Sequence, residues 1–272
     1  MAPKLEWLAR AGYGARGAVF VILSYFTVVA SLDAHTRPID SKDALRSLLT
    51  EQLGVVLLLA IAAGLLCFAA WREAQCFLDA DSCGSDLKGW LRRSVYGAAG
   101  LFYAGFASVA FSMVLGVHVR NTERAVHDWA AWLLSKPMGA WLGGSVGVCI
   151  LVAGLCVGIT GVRAEFKNRL SGLGRKPRWF VTLLGFVGYL TRAFVFSIIG
   201  LFIIFAALHA DAREATGLAG ALQAIKQQPH GALLLGFTAA GLFAFGAYGI
   251  AEAIFRRIDD SYSFDRSSWL RA

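Results

Sequence analysis

The stretch YGARGAVFVILSYFTVVASL, residues 13–32, carries a single charged side chain, Arg16, close to its beginning. An α-helix rises 1.5 Å per residue, so about 20 residues of this character cross the roughly 30 Å of hydrocarbon in a bilayer. Stretches of this kind cover Ala15–Leu32, Leu53–Trp71, Val95–Val117, Gly139–Val162, Phe180–Leu208 and Gly231–Phe255. The sequence therefore predicts an all-α integral membrane protein with six transmembrane helices.

The composition of the chain agrees with a membrane protein. Of its 272 residues, 57% are hydrophobic and only 16% are charged, whereas soluble domains contain about 25% charged residues. No small-residue cleavage site follows Leu32, so the first stretch is interpreted as a membrane helix and not as a signal peptide. The net charge of +8 is explained by the basic residues that cytoplasmic loops collect. A nucleic-acid partner is therefore not expected.

The six stretches repeat in pairs. The first, third and fifth begin near a tyrosine, and these tyrosines are Tyr13, Tyr96 and Tyr189. A glycine opens each of the other stretches 41, 43 or 42 residues after its tyrosine, at Gly54, Gly139 and Gly231. A short amphipathic segment precedes each glycine. This regularity predicts three copies of one unit, which consists of a helix, a short amphipathic segment and a second helix.

The three predicted copies cover residues 5–80, 88–166 and 180–258 of a single membrane domain. Each copy contains two transmembrane helices, so every copy enters the membrane in the same direction. Such parallel repeats are related by an axis along the membrane normal. We therefore predict a pseudo-threefold arrangement of three hairpins, with the amphipathic segments lying as short interfacial helices on the outer side.

The basic residues predict the orientation in the membrane. Seventeen of them fall on the side of the two termini and eight on the other side. Because cytoplasmic loops are richer in Lys and Arg, both termini are expected in the cytoplasm and the protein in the inner (plasma) membrane. The lipid bilayer, and anionic lipid headgroups on the cytoplasmic side, are the expected partners; no protein partner is identified.

The element ARAGYGARG, residues 9–17, resembles a bacterial membrane family catalogued as domain of unknown function 1206, whose members carry three copies of a two-helix unit. The first and third copies match best, with Tyr13 and Arg16 in one and Tyr189 and Arg192 in the other. The second copy has Ala99 in place of the arginine. The resemblance implies the fold and the membrane location, but it implies no activity and no catalytic residues.

Charged residues lie near the cytoplasmic ends of the predicted helices. In an antiparallel hairpin the start of one helix lies near the end of its partner. Arg16 should then approach Glu73 or Gln75, and Arg192 should approach Glu252. These pairs are interpreted as links within the hairpins that also meet lipid headgroups. The functional alternative is a charged vestibule that selects an ion or an anionic solute.

Three histidines occupy equivalent places in the three copies. His35, His118 and His209 follow their tyrosines by 22, 22 and 20 residues. Under threefold symmetry they would form a ring on the outer side that could bind a divalent transition metal or titrate as a proton switch. The alternative is that histidine simply tolerates the interface, because no HxxxH spacing supports a site within one helix.

Enzyme motifs give little support for an activity: the sequence contains no phosphate-binding loop, and its G-x-S-x-G match at residues 143–147 lies inside an apolar membrane stretch and not at a strand-to-helix turn. An enzymatic activity is therefore not expected, and no cofactor is expected apart from the metal just described. The favoured interpretation is a channel or transporter for an ion or small solute. The alternatives are a non-transporting scaffold that binds lipid or a partner, and a metal-binding protein that uses the outer histidines.

Overall fold

A computed structural model of the chain describes residues 2–33, 35–79, 84, 86–117, 122–164 and 175–255. The helices in these ranges are α1 (Ala2–Leu32), α2 (Ser41–Ser47), α3 (Gly54–Phe77), α4 (Leu87–Val114), α5 (Thr122–Leu134), α6 (Gly139–Arg163), α7 (Arg175–Leu208), α8 (Leu218–Lys226) and α9 (Gly231–Phe255). Short 3₁₀ turns cover Leu48–Thr50 and Ala212–Glu214. The described part of the chain contains no β-strand.

Six of these helices, α1, α3, α4, α6, α7 and α9, are long and apolar enough to cross a membrane. Their most apolar segments have mean hydropathies between 1.5 and 2.5, and many of their large apolar side chains are exposed. This confirms the prediction of a multi-pass membrane protein whose surface contacts bilayer lipid. The start of the first helix was predicted wrongly, because α1 begins at Ala2 and not at Ala15.

The long helices pack in the order α4, α3, α1, α9, α7, α6. The most extensive contacts join helices of different copies: α1 packs on α9, α4 on α3, and α7 on α6. Within a copy, α1 packs on α3 and α7 on α9, whereas α4 and α6 have no extensive contact with each other among the described residues. The expected hairpin therefore forms in the first and third copies and not in the second.

Glycines explain why the contacts between copies are so close. A Cβ atom added to Gly17 of α1 would lie 2.7 Å from the carbonyl oxygen of Gly246 in α9, and a Cβ atom on Gly246 would lie 2.8 Å from that of Gly17. The same reciprocal contact, at 2.9 Å in both directions, joins Gly147 of α6 and Gly200 of α7. Small residues let the backbones of membrane helices approach to van der Waals contact.

Helix α6 depends on this kind of packing more than any other long helix. Its fully buried residues are all glycines, namely Gly139, Gly143, Gly147, Gly154 and Gly161. The last four of these glycines pack against α7, whereas Gly139 lies against the end of α5. Large side chains elsewhere on the helix, such as Trp141 and Leu155, are exposed. Helix α6 thus offers α4 no buried surface, which accounts for the open second copy.

Candidate anion-binding site

Arg16 is a buried arginine in the interior of the helix bundle. Only 4% of the residue is exposed, and its Nη2 atom lies 2.6 Å from Oε2 of Glu252 in α9, whose side chain is also buried. The ion pair therefore joins the first copy to the third. The expected partners in its own hairpin, Glu73 and Gln75, were predicted wrongly. The reason is that α1 approaches α9 through the contact of Gly17 with a glycine of that helix.

Arg192 occupies the corresponding position of α7 but has no anionic partner among the described residues. Its guanidinium carbon lies 5.0 Å, 5.1 Å and 5.9 Å from the ring centres of Phe196, Phe245 and Phe20. Its Nε atom is buried without a hydrogen-bond partner, and it forms no ion pair with any described residue. The expected pairing with Glu252 is therefore wrong, since that carboxylate pairs with Arg16 instead.

Arg72 of α3 is a third arginine of this region. Its guanidinium carbon lies 4.9 Å from the ring centre of Phe68 and 5.0 Å from that of Tyr96. Nη1 donates a hydrogen bond of 2.9 Å to Oε1 of Gln75, while Nε is buried and unpaired. Sequence reasoning missed Arg72, because hydropathy ends the second stretch at Trp71 although the helix continues for six more residues.

Shared aromatic rings bring the three arginines together. The Arg16 and Arg192 guanidinium carbons each lie 5.1 Å from the centre of the Phe245 ring, so the two charges can be no farther apart than twice that distance. The centre of the Phe68 ring likewise lies 5.2 Å from the guanidinium carbon of Arg16 and 4.9 Å from that of Arg72. We refer to Arg16, Arg72 and Arg192 as the arginine cluster.

The repeat tyrosines surround the cluster. The ring of Tyr13 lies 5.1 Å from the Arg16 guanidinium carbon, and Tyr96 lies under Arg72 as described above. Tyr189 packs edge-on against Phe245 at 5.6 Å, much as Tyr13 packs against Phe68 at 5.1 Å. The motif that reveals the repeat in the sequence thus supplies aromatic rings at the site in all three copies.

Glu73, the remaining acidic residue predicted for this region, faces α4. A Cβ atom on Gly100 would lie 2.2 Å from Oε1 of Glu73, so a larger residue at this position would displace the carboxylate. That oxygen is buried without a hydrogen-bond partner, and the residue forms no ion pair within the described ranges. Among the described residues, three guanidinium groups and two carboxylates therefore lie in this part of the bundle, and Arg16 with Glu252 forms the one ion pair between them.

The three outer histidines were predicted as a possible metal site. His118 lies outside the described residues. His35 is exposed, and its backbone N–H donates to Oδ1 of Asp33 at 2.9 Å. Nδ1 of His209 lies 2.8 Å from the carboxylate of Glu214. Among the residues that the structure describes, no three His, Cys, Asp or Glu side chains are grouped to hold a metal. The metal site stays a prediction.

The fold and the site define a class, a membrane protein with six candidate spans in which the buried Arg16 and the partly buried Arg72 and Arg192 lie between the repeats. The model of the family described as Domain of Unknown Function (DUF1206) matches residues 11–79 and 187–256, which are the first and third copies. The uncharacterised protein YxxB of Bacillus subtilis (strain 168) is 31% identical over 258 residues, covering 94% of this chain and 93% of the relative. The chain therefore belongs to this family. No solved structure matches it.

Proposed function

We propose that this protein binds a small oxyanion inside its helix bundle and moves it across the membrane as a channel or carrier. The proposal rests on Arg192, a partly buried guanidinium that lies 5.0–5.9 Å from the centres of three phenylalanine rings and has no anionic partner among the described residues. Charged side chains within membrane spans are costly and usually mark a pathway or a ligand site. Binding and transport need no chemical turnover.

The free energies of placing Arg192 in the membrane and of its cation–π contacts favour the binding of an anion. An arginine at the centre of a membrane helix costs about 2.5–3.5 kcal/mol by insertion scales. Each cation–π contact of this partly exposed arginine returns about 0.5–1 kcal/mol. The rings around Arg192 therefore offset much of the cost but add no negative charge. A ligand anion would complete the site, and it would be attracted by Arg16 and Arg72 as well.

The donors of the guanidinium groups favour an oxyanion over a halide. Aromatic rings lie within about 5–6 Å of each guanidinium carbon, as cation–π contacts require. Each guanidinium carries five N–H donors in one plane. Donors in this planar fork match the two oxygens of a carboxylate or phosphate. We therefore expect a carboxylate- or phosphate-bearing solute.

The depth of the cluster supports entry from the side of the termini. Arg16 and Arg192 each lie sixteen residues, about 24 Å, before the ends of α1 and α7. Both charges lie before the middle of the candidate membrane spans Glu6–Leu32 and Arg178–Leu208, on the side on which the chain begins. The distribution of basic residues supports the cytoplasm as that side and the inner (plasma) membrane as the location.

We also propose that the three copies surround a pseudo-threefold axis. In each copy the first helix packs on the second helix of the preceding copy, as the pairs α1–α9, α4–α3 and α7–α6 illustrate. A threefold rotation would interchange these three pairs. The arginine cluster lies where the copies meet, so a pathway along this axis would pass the unpaired Arg192.

A second candidate is a lipid-binding protein without transport activity. A groove of about 510 Å³ between α6 and α7 is lined by apolar residues such as Leu155 and Phe194, with Arg163 among its lining residues. An acyl chain would fit the apolar part, and the arginine would attract an anionic headgroup on the cytoplasmic side. This candidate places the ligand outside the bundle and makes the arginine cluster a purely structural feature.

Binding to the purified protein in lipid nanodiscs tests the proposal. Calorimetric titrations with inorganic phosphate and with succinate should give saturable binding that Arg192→Gln abolishes. Arg213→Gln is the matched control, because it removes one charge from an exposed arginine at the far ends of the helices. Liposome flux of the bound anion then tests transport. Binding that survives Arg192→Gln but is lost in Arg163→Gln would support the lipid-binding candidate instead.

A further inference from the structure

The three short helices form a layer over one end of the bundle. Helix α2 connects α1 to α3, α5 connects α4 to α6, and α8 connects α7 to α9. Each buries apolar residues against the long helices: Ala44 and Leu45, Ala130 and Leu133, and Leu222 and Ile225, respectively. We call α2, α5 and α8 the short-helix layer. It lies at the end of the bundle that is opposite to the start of α1, and therefore away from the arginine cluster.

Helix α8 obtains its N-terminal cap from another copy. Oε1 of Glu123, in α5, accepts a hydrogen bond from the backbone N–H of Gly220 at 3.1 Å. Oε2 accepts from the backbone N–H of Gly217 and from Oγ1 of Thr216, both at 3.2 Å. The N-cap residue of α8 is Gly217, which has no side chain to do this. A carboxylate at this position satisfies N–H groups that a helix leaves unpaired and interacts favourably with its dipole.

The cap of α2 provides a contrast. Its N-cap residue is Asp40, whose Oδ1 accepts hydrogen bonds of 2.8 Å from the backbone N–H groups of Lys42 and Asp43. Helix α2 is therefore capped within its own copy, and this cap does not depend on the position of the other copies. Helix α8 can keep its cap only while α5 stays beside it.

The other end of α8 is attached to the first copy. Nζ of Lys226 donates a hydrogen bond of 2.7 Å to the backbone carbonyl of Asp33 and another to that of Thr36. Both carbonyls belong to the loop that follows α1. Polar contacts thus hold α8 to the second copy at its start and to the first copy at its end, above the buried Ala30 of α1.

We propose that the short-helix layer is a gate on the side away from the termini, and that Glu123 is its latch. Hydrogen bonds between copies hold both ends of α8, so these bonds break together when the copies separate. The contacts below α8 are apolar, so they separate without leaving unpaired charges. Release of Glu123 frees the start of α8 and exposes the helix ends beneath it. Only the role of the gate in transport rests on the proposed function. The closed layer itself is a feature of the structure.

Thiol accessibility tests the gate without any transport measurement. Ala30→Cys introduces a reporter directly under α8, where the native residue is 0% exposed, in a protein whose own cysteines are replaced by serine or alanine. A membrane-impermeant maleimide added to the outer side of proteoliposomes should label this reporter slowly. Glu123→Gln should raise the labelling rate about fivefold to tenfold, as expected for loss of a charged cap.

Glu214→Gln is the matched control for Glu123→Gln. Glu214 pairs with His209 five residues away in its own copy, so its loss should leave labelling unchanged. Lys226→Gln releases the other end of α8 and should also increase labelling, which keeps the test valid if Glu123→Gln does not fold. Fast labelling with Glu123 intact, or no acceleration in either variant, would overturn the gate. Failure of phosphate and succinate to bind would refute the proposed function and leave these rates unchanged.

Discussion

Replacing Arg192 by methionine separates a ligand site from a structural arginine. Methionine is unbranched and adaptable, so it fills the space between the phenylalanine rings without a charge. The substitution removes three cation–π contacts, at 5.0, 5.1 and 5.9 Å, which together contribute roughly 1.5–3 kcal/mol. It also removes the cost of about 2.5–3.5 kcal/mol for an arginine within the membrane. In buffer without the anion, the free energy of unfolding should therefore change by less than about 1 kcal/mol.

Arg16→Met provides the comparison. This change leaves Glu252 buried without its partner, and breaking one half of a buried ion pair costs about 3–5 kcal/mol. Reversible unfolding in mixed micelles of increasing SDS content, followed by tryptophan fluorescence, measures both variants. Phosphate at 100 times its dissociation constant should stabilise the unmodified protein by about 2.7 kcal/mol and Arg192→Met not at all. A loss of 3 kcal/mol or more in Arg192→Met without anion would refute the reasoning, because it would mean that the protein itself supplies the counter-charge.

Three further predictions concern other parts of the molecule. Gly17→Val should reduce the free energy of unfolding by about 1–3 kcal/mol by forcing α1 from α9, whereas Gly105→Ala, which meets no atom within 4 Å, should be neutral in the same unfolding measurement. Glu252→Gln should tighten phosphate binding, because it removes the ion pair of Arg16 and leaves that guanidinium to attract the anion. A lower affinity for phosphate in titration calorimetry would contradict this prediction. Burial and a neighbouring carboxylate raise the pKa of Asp43, so stability should rise as the pH falls through that pKa; Asp43→Asn should flatten this part of the unfolding profile.

Local composition was enough to predict the long helices. A transmembrane span needs about 20 apolar residues in succession, and hydropathy detects this directly. The boundaries were less predictable, because a helix can continue into water on polar residues. The early start of α1 at Ala2 and the extension of α3 to Phe77 both lie beyond the apolar stretches. The second of these extensions carries Arg72 into the site.

Helix neighbours could not be predicted from the sequence. Glycines are visible in all the stretches, but their positions do not reveal which glycine of another helix each one meets. The assumption that neighbours in the chain are neighbours in space gave Arg16 the wrong partner. Gly17 and Gly246 instead bring together the first and last helices, and the ion pair of Arg16 with Glu252 follows from that contact.

The ion pair between the first and last helices also affects how the protein is made. Arg16 and Glu252 are separated by 236 residues, and ribosomes add roughly 5–20 residues per second. Arg16 therefore enters the membrane some tens of seconds before its counter-ion has been synthesised. During this interval the nascent first copy holds an arginine that no residue of α9 can neutralise. A chain that stops short of α9 keeps that charge uncompensated, which should direct it to degradation by membrane quality control.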